Sequence, residues 1–197
     1  MRSDRVVPER ATAADLNQLA GTFVAAFADD PMIRWPMPEA TSDDLHTLFR
    51  AILSPYLELG VAWKVGSGVG CAAWLPPAHT ARFTEIEMGT RAAIHRLTPD
   101  GGERYSAFWD WIGSHLPEEP CWFLDIIAVH PDAQGHGLGR ALIEHGLERA
   151  RADGHFAFLE TGTESNIALY ESLGFQVTRQ ERAPDAGPMI WFMQTPE

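Results

Sequence analysis

Residues 122–150, WFLDIIAVHPDAQGHGLGRALIEHGLERA, constrain the chain more than any other stretch. Residues 122–129 are apolar except for Asp125, which is the pattern of a buried strand. Pro131 and the glycines at 135, 137 and 139 then interrupt regular structure. From Leu138 onward, Leu142, Gly146 and Leu147 recur at helical spacing with charges between them, so a helix begins there. Strand, glycine loop and helix in this order make an anion site. Glycines let main-chain N–H groups approach a ligand, and the first helical turn leaves N–H donors unpaired at the positive end of the helix dipole.

Three glycine-loop patterns compete for this segment. A Walker A loop requires Lys and Ser/Thr after the last glycine, but Gly139 is followed by Arg140 and Ala141. A dinucleotide fingerprint gains some support from Glu160, 21 positions after Gly139, where a ribose-binding acid belongs. The spacing here is G-x-G-x-G, however, and five residues separate Val129 from Gly135, too many for the tight dinucleotide turn. The third pattern, Q/R-x-x-G-x-G/A, is met by Gln134-Gly135-His136-Gly137-Leu138-Gly139.

Composition narrows the classes of partner. The 197 residues include 15 Lys and Arg against 27 Asp and Glu, a formal net charge of −12. That balance argues against a protein that tracks phosphates of nucleic acid or an anionic membrane, and it suits a cationic small molecule. The length fits one domain, residues 1–197, and a hydrophobic content of 45% supports a real core. Two cysteines, Cys71 and Cys121, lie in apolar runs and imply no disulfide framework. No histidine pair has metal-ligand spacing, so no metal is expected. The start of the chain has no apolar signal core and no run of 18 apolar residues occurs, so the expected location is the cytoplasm.

Taken in order, a short first strand is expected at residues 5–10. A helix capped by Thr12 follows, burying Leu16, Leu19, Phe23, Val24 and Phe27 and ending near Asp30-Pro31. Residues 32–38 read as a proline-broken apolar loop that either lines a site or packs on the core. Ser42 caps a second helix, which Pro55 kinks or ends early and Gly60 stops. Residues 61–75 read as a hairpin around Gly66-Ser67-Gly68. Two helical stretches follow, residues 80–96 and 102–116. The second carries a stripe of Tyr105, Phe108, Trp109, Ile112 and Leu116, which suits a core face better than a stacking platform. After the central strand and helix, residues 155–160 form a strand, 165–173 a helix closed by Gly174, and 175–179 and 189–193 two last strands.

A second segment, FLETGTESNIALYESLGF at residues 158–175, carries Asn166, Ala168, Tyr170, Glu171, Gly174 and Phe175. With the glycine loop, it resembles the GNAT acetyltransferase superfamily. Shorter matches at residues 26–29, 122–124 and 158–161 are similar to the puromycin N-acetyltransferase group within it, whereas Asp30 and Asp125 depart from that group. The resemblance implies an α/β (α+β) fold with a mixed, mostly antiparallel central sheet flanked by helices, whose central strands splay at the acetyl-CoA site. It implies acetyl-CoA as co-substrate and direct acetyl transfer to the primary amine of a small molecule, an antibiotic such as puromycin among the candidates. A protein or peptide amine and a non-catalytic acyl-CoA sensor are the rival readings, and a homodimer is compatible with all of them.

The resemblance also assigns roles. Gln134, Gly135, His136, Gly137, Leu138, Gly139 and Arg140 would face the pyrophosphate. Ile127, Ala128 and Val129 would pair with the pantetheine arm, the N–H of Ile127 polarising the thioester carbonyl. Asn166 belongs to the same cofactor set, and Tyr170 would also protonate the departing thiolate. The base is open between Asp125 and Glu160. Strict strand alternation puts Asp125 on the face of Phe123 and Ile127.

Overall fold

In the computed structural model, residues 6–86 and 88–196 are described. One seven-stranded sheet runs through the molecule: β1 (Glu9–Arg10), β2 (Ala62–Val65), β3 (Gly70–Leu75), β4 (Trp122–Val129), β5 (Ala157–Thr161), β6 (Gln176–Arg182) and β7 (Met189–Gln194). Their spatial order is β1-β2-β3-β4-β5-β7-β6, and every neighbouring pair is antiparallel except β4 and β5. The sheet is therefore mixed and mostly antiparallel, as expected. The part of the expected first strand at Arg5 lies outside the described residues.

The helices are α1 (Leu16–Ala26), α2 (Pro31–Arg34), α3 (Ser42–Leu59), α4 (Thr80–Ile86), α5 (Met88–Leu97), α6 (Glu103–Gly113), α7 (Leu138–Ala152) and α8 (Ile167–Glu171). α7 covers one face of the sheet. Its Gly146 lies against the fully buried Trp74 of β3, so closely that an added Cβ would overlap the indole. On the opposite face, α1 and α3 bury Leu19, Phe23, Leu45, Leu48, Phe49 and Leu53 completely, and the Phe23, Phe27 and Phe49 rings sit 5.4–5.8 Å apart.

Several local expectations need correction. Thr41, not Ser42, caps α3: its hydroxyl accepts from Asp44 N–H, and Asp44 returns a bond to the Thr41 N–H, leaving Ser42 as the first helical residue. Pro55 does not end α3. The helix continues to Leu59 and stops at Gly60 in the left-handed region, φ 69°. Residues 32–34 belong to a helix rather than a loop, and the segment takes the alternative of packing on the core. Asp30 caps the short α2, Met32, Ile33 and Met37 are buried, and Arg34 ties the turn to Ala28 O at 2.5 Å and Ala40 O at 2.7 Å. α6 stops at Gly113, and Leu116, placed on its buried stripe, is 40% exposed.

The central strands carry two irregularities. β4 and β5 pair only through Trp122 with Ala157 and Phe123 with Phe158. Beyond Phe123 the two strands part, and from residue 124 onward β4 has no strand partner on its β5 side. On its other side, β4 stays paired with β3 to Val129, but Ala73 opposes Ile126 while Trp74 opposes Leu124. Asp125 is thus the extra residue of a β-bulge. Phe123 lies opposite Leu75 and Ile127 opposite Ala72, three positions apart on β3, so Phe123 and Ile127 face opposite sides of the sheet. The bulge overturns the expectation that these two and Asp125 share a face.

Candidate active site

The glycine loop leaves β4 through a single turn at Pro131–Ala133. The Gln134 side-chain amide donates back to Val129 O at 3.1 Å, which folds the loop onto the strand end. Gly135 and Gly137 have φ of 77° and 78°, the left-handed region that side-chain-bearing residues rarely adopt. A Cβ at either position would meet nothing within 4 Å, so these glycines are present for backbone conformation, in front of open space. Gly137 caps α7 and its carbonyl accepts the first helical bond, from Ala141 N–H. The N–H groups before Ala141 in the first turn have no helical acceptor.

A cleft of about 760 Å³ lies along this loop, walled by the end of α1, by Ile127, Ala128 and Val129, and by α8. Gln134, Gly135, Gly137, Leu138, Gly139 and Arg140 line it, together with Asn166 and Tyr170. The structure therefore brings the predicted cofactor residues to one cleft, with one exception: His136 is turned back on its own loop, its ring Nδ1 2.8 Å from Gln134 O. Arg140 lines the cleft while its guanidinium donates to Ser172 Oγ at 2.7 Å. The donor set suits a phosphorylated ligand: a loop of freed N–H groups, a helix N-terminus and a cation. The parted strands β4 and β5 leave main chain open to an extended arm.

A second cavity of about 510 Å³ opens on the other side of the parted strands, under α4, α5 and α6. Phe27, Tyr56, Phe83, Tyr105, Trp109 and Phe123 give it aromatic walls. Asp30, Asp110, Asp125 and Glu160 are its carboxylates, and among the described residues no Lys, Arg or His lines it. The α6 stripe is thus both core and wall: Phe108 and Ile112 are 1% and 2% exposed, while Tyr105, Trp109 and Ile112 border the cavity. The two cavities share five lining residues: Phe27, Asp30, Ile127, Asn166 and Tyr170.

Charge at this junction is strongly perturbed. Glu160 is half-buried as a residue, yet its Oε2 is out of reach of solvent and has no hydrogen-bond partner. Burial, and then the negative charge of Asp125, push its carboxyl well above the usual 4.5. Tyr170 is 6% exposed, its ring edge-on to Phe175 at 5.9 Å. Burial and the nearby Glu160 and Asp30 carboxyls raise its hydroxyl above the ordinary tyrosine value, so it stays protonated. Asp30 is also raised, by burial against the lowering effect of its hydrogen bonds from Met32 N–H at 2.8 Å and Thr163 Oγ1 at 3.3 Å.

Sequence reasoning singled out Asp125, Glu160 and Tyr170, and all three line the second cavity. It missed Asp30 and the aromatic walls from α1, α3 and α4. Asp30 read as a helix boundary before Pro31 and as a departure from the puromycin N-acetyltransferase group, and nothing local marks its bond to Thr163, 133 positions away. The cysteines take no part: Cys71 is buried inside β3, its thiol pushed up to about 12 by burial, and Cys121 lines neither cavity.

Comparison with known proteins agrees with this geometry. The sequence model of the Acetyltransferase (GNAT) family matches residues 30–175, well over half of the chain. An uncharacterised N-acetyltransferase of Schizosaccharomyces pombe is 25% identical over 180 residues, covering 85% of this chain and 73% of that protein. The L-amino acid N-acyltransferase MnaT of Escherichia coli is 36% identical over 83 residues, 39% of this chain and 45% of that protein. A Corynebacterium glutamicum crystal structure, described as histone acetyltransferase HPA2 and related acetyltransferase, superposes with a TM-score of 0.72 at 26% identity, covering 98% of this chain and 96% of that one. Arylalkylamine N-acetyltransferase 2 from Aedes aegypti shares the fold, with a TM-score of 0.67 at 13% identity over 98% of this chain and 99% of its own. With its glycine loop, parted central strands and two clefts that meet at Tyr170, this chain belongs to the GNAT acetyltransferase family and is an acetyl-CoA-dependent N-acetyltransferase.

Proposed function

We propose that the enzyme acetylates the primary amine of a small cationic molecule with an apolar or aromatic body, by direct transfer in a ternary complex. The observation that carries this reading is the second cavity, which is enclosed by aromatic rings, holds four carboxylates and no described basic side chain, and joins the cofactor cleft at Tyr170. The loop of Gln134 to Arg140 would hold the pyrophosphate, with His136 at its exposed rim. Main chain of Ile127, Ala128 and Val129 would hold the pantetheine arm, and the Ile127 N–H would face the thioester oxygen as charge develops there.

Proton balance gives each remaining group a role. An alkyl ammonium, pKa roughly 10, must lose one proton before it attacks and a second after the new C–N bond forms. Asp125 and Glu160 supply two acceptors, coupled by charge, and an arriving cation favours the ionised form of Glu160. The expelled CoA thiolate takes one proton. Tyr170, which keeps its hydroxyl hydrogen, would donate it and be reprotonated from a carboxylic acid. The other proton leaves to solvent. Neither cysteine lines either cavity, in keeping with transfer that needs no acyl-enzyme.

The test is release of CoA thiol from acetyl-CoA in the presence of 2-phenylethylamine, agmatine, spermidine, puromycin and a lysine-containing peptide. Release with small amines, confirmed by a product one acetyl heavier, supports the reading. Release with the peptide alone overturns it in favour of a protein acetyltransferase. Bound acetyl-CoA with no release from any amine overturns the small-amine assignment.

A further inference from the structure

Asp30 caps the short α2, a task that needs only an acceptor oxygen. Ser, Thr or Asn caps as well as Asp without placing a charge in the interior. Its Oδ1 takes the Met32 N–H at 2.8 Å, and Oδ2 takes a longer 3.3 Å bond from the Thr163 hydroxyl. Two neighbours hold the carboxyl in place. Gly162 fits against α2 so closely that an added Cβ would lie 2.7 Å from Met32 Cγ, and Arg34 fastens the far side of the turn. The group thus sits on a rigid element rather than on a mobile loop, and it borders both the cofactor cleft and the acceptor cavity. A half-buried carboxylate whose charge capping does not need calls for a cation.

We propose that Asp30 holds the ammonium group of the acceptor amine at the point where the two clefts meet, so that the cation nearest the thioester is the nitrogen to be acetylated. This rests on the acceptor reading above and adds a residue to it. Asp125 and Glu160 line the acceptor cavity from β4 and β5, and Asp30 borders it from the start of α2, where it meets the cofactor cleft. A neutral hydroxyl or amide substrate would leave this carboxylate unpaired. Asp30 therefore selects alkyl amines that are protonated in solution, and its contribution falls on amine binding rather than on acetyl-CoA.

Asp30→Asn and Asp30→Ser keep the cap and remove the charge. With 2-phenylethylamine and agmatine as acceptors, both variants should raise the amine KM at least about tenfold, the scale of a charge-assisted hydrogen bond. The acetyl-CoA Kd by calorimetry and the melting temperature should stay at or above wild-type values. Thr163→Val, which removes the weaker bond and no charge, should leave the amine KM near wild type. An unchanged amine KM in both charge-removing variants would show that Asp30 only caps α2. Loss of acetyl-CoA binding or of thermal stability in those variants would equally assign it a structural role. Wild-type protein that binds acetyl-CoA yet turns over neither amine would sink the acceptor reading itself, and this proposal with it.

Discussion

Tyr170 and Glu160 show how one environment shifts two acids in the same direction. Burial, with neighbouring carboxyls, raises both, so the Tyr170 phenol keeps its hydrogen and the Glu160 carboxyl holds its proton above the usual carboxylate range. Tyr170→Phe should lower kcat by about 100-fold, a general-acid magnitude, and leave the acetyl-CoA Kd unchanged. A drop in affinity without a drop in kcat would assign the ring to packing instead. Glu160 also ties stability to pH. In the unfolded chain it ionises from about 4.5, whereas in the folded chain it holds its proton to a higher pH. Stability is therefore full below 4.5 and falls as pH rises through the folded value. Glu160→Gln removes that loss, so its Tm should exceed that of wild type by at least about 2 °C at pH 8, the gap closing toward pH 4.5 in thermal scans.

Among the elements, α7 does two jobs: its N-terminus fronts the cofactor cleft and its middle packs on the sheet. The packing depends on Gly146. Ala would gain about 1 kcal/mol of helix propensity, yet its methyl would overlap the fully buried Trp74, which has no free space on its own strand. Overpacking of this kind costs about 1–3 kcal/mol or more. Gly146→Ala should lower the Tm by about 4 °C, and acetyl-CoA affinity should fall as the N-terminus of α7 shifts. A Tm equal to wild type would show that α7 can slide. The β4 bulge is the other element-scale device, because it breaks alternation at Asp125, the residue beside Glu160 at the junction.

For the molecule as a whole, the parted strands leave β4 without a neighbour on its β5 side just where the cofactor arm is proposed to lie. A ligand that fills the wedge completes the sheet. Acetyl-CoA at about 100 times its Kd should add about 2.7 kcal/mol and raise the Tm by about 5–10 °C. Amide exchange should slow at Ile127, Ala128 and Val129 and in the glycine loop. Protection confined to the loop would place the arm elsewhere. Among the described residues, no helix is long and apolar enough to cross a membrane, and no cluster of His, Cys, Asp and Glu could hold a metal.

The sequence by itself determined what depends on near neighbours. The strand, glycine loop and helix at residues 122–150 were legible because period, glycine placement and helix start are local properties, and Gly135 and Gly137 adopt the positive φ such a loop requires. The amphipathic α1, α3 and α7 were legible for the same reason. Local signals misled where two adjacent residues could both serve, as with Thr41 and Ser42, or where tertiary packing carried a helix through Pro55. Where β4 and β5 part, where the bulge falls and that Asp30 borders both cavities were settled by the tertiary structure alone. Strand separation is a matter of long-range pairing, residues such as Asp30 and Thr163 meet across 133 positions, and the cost of burying a carboxyl is set by the company it finds there.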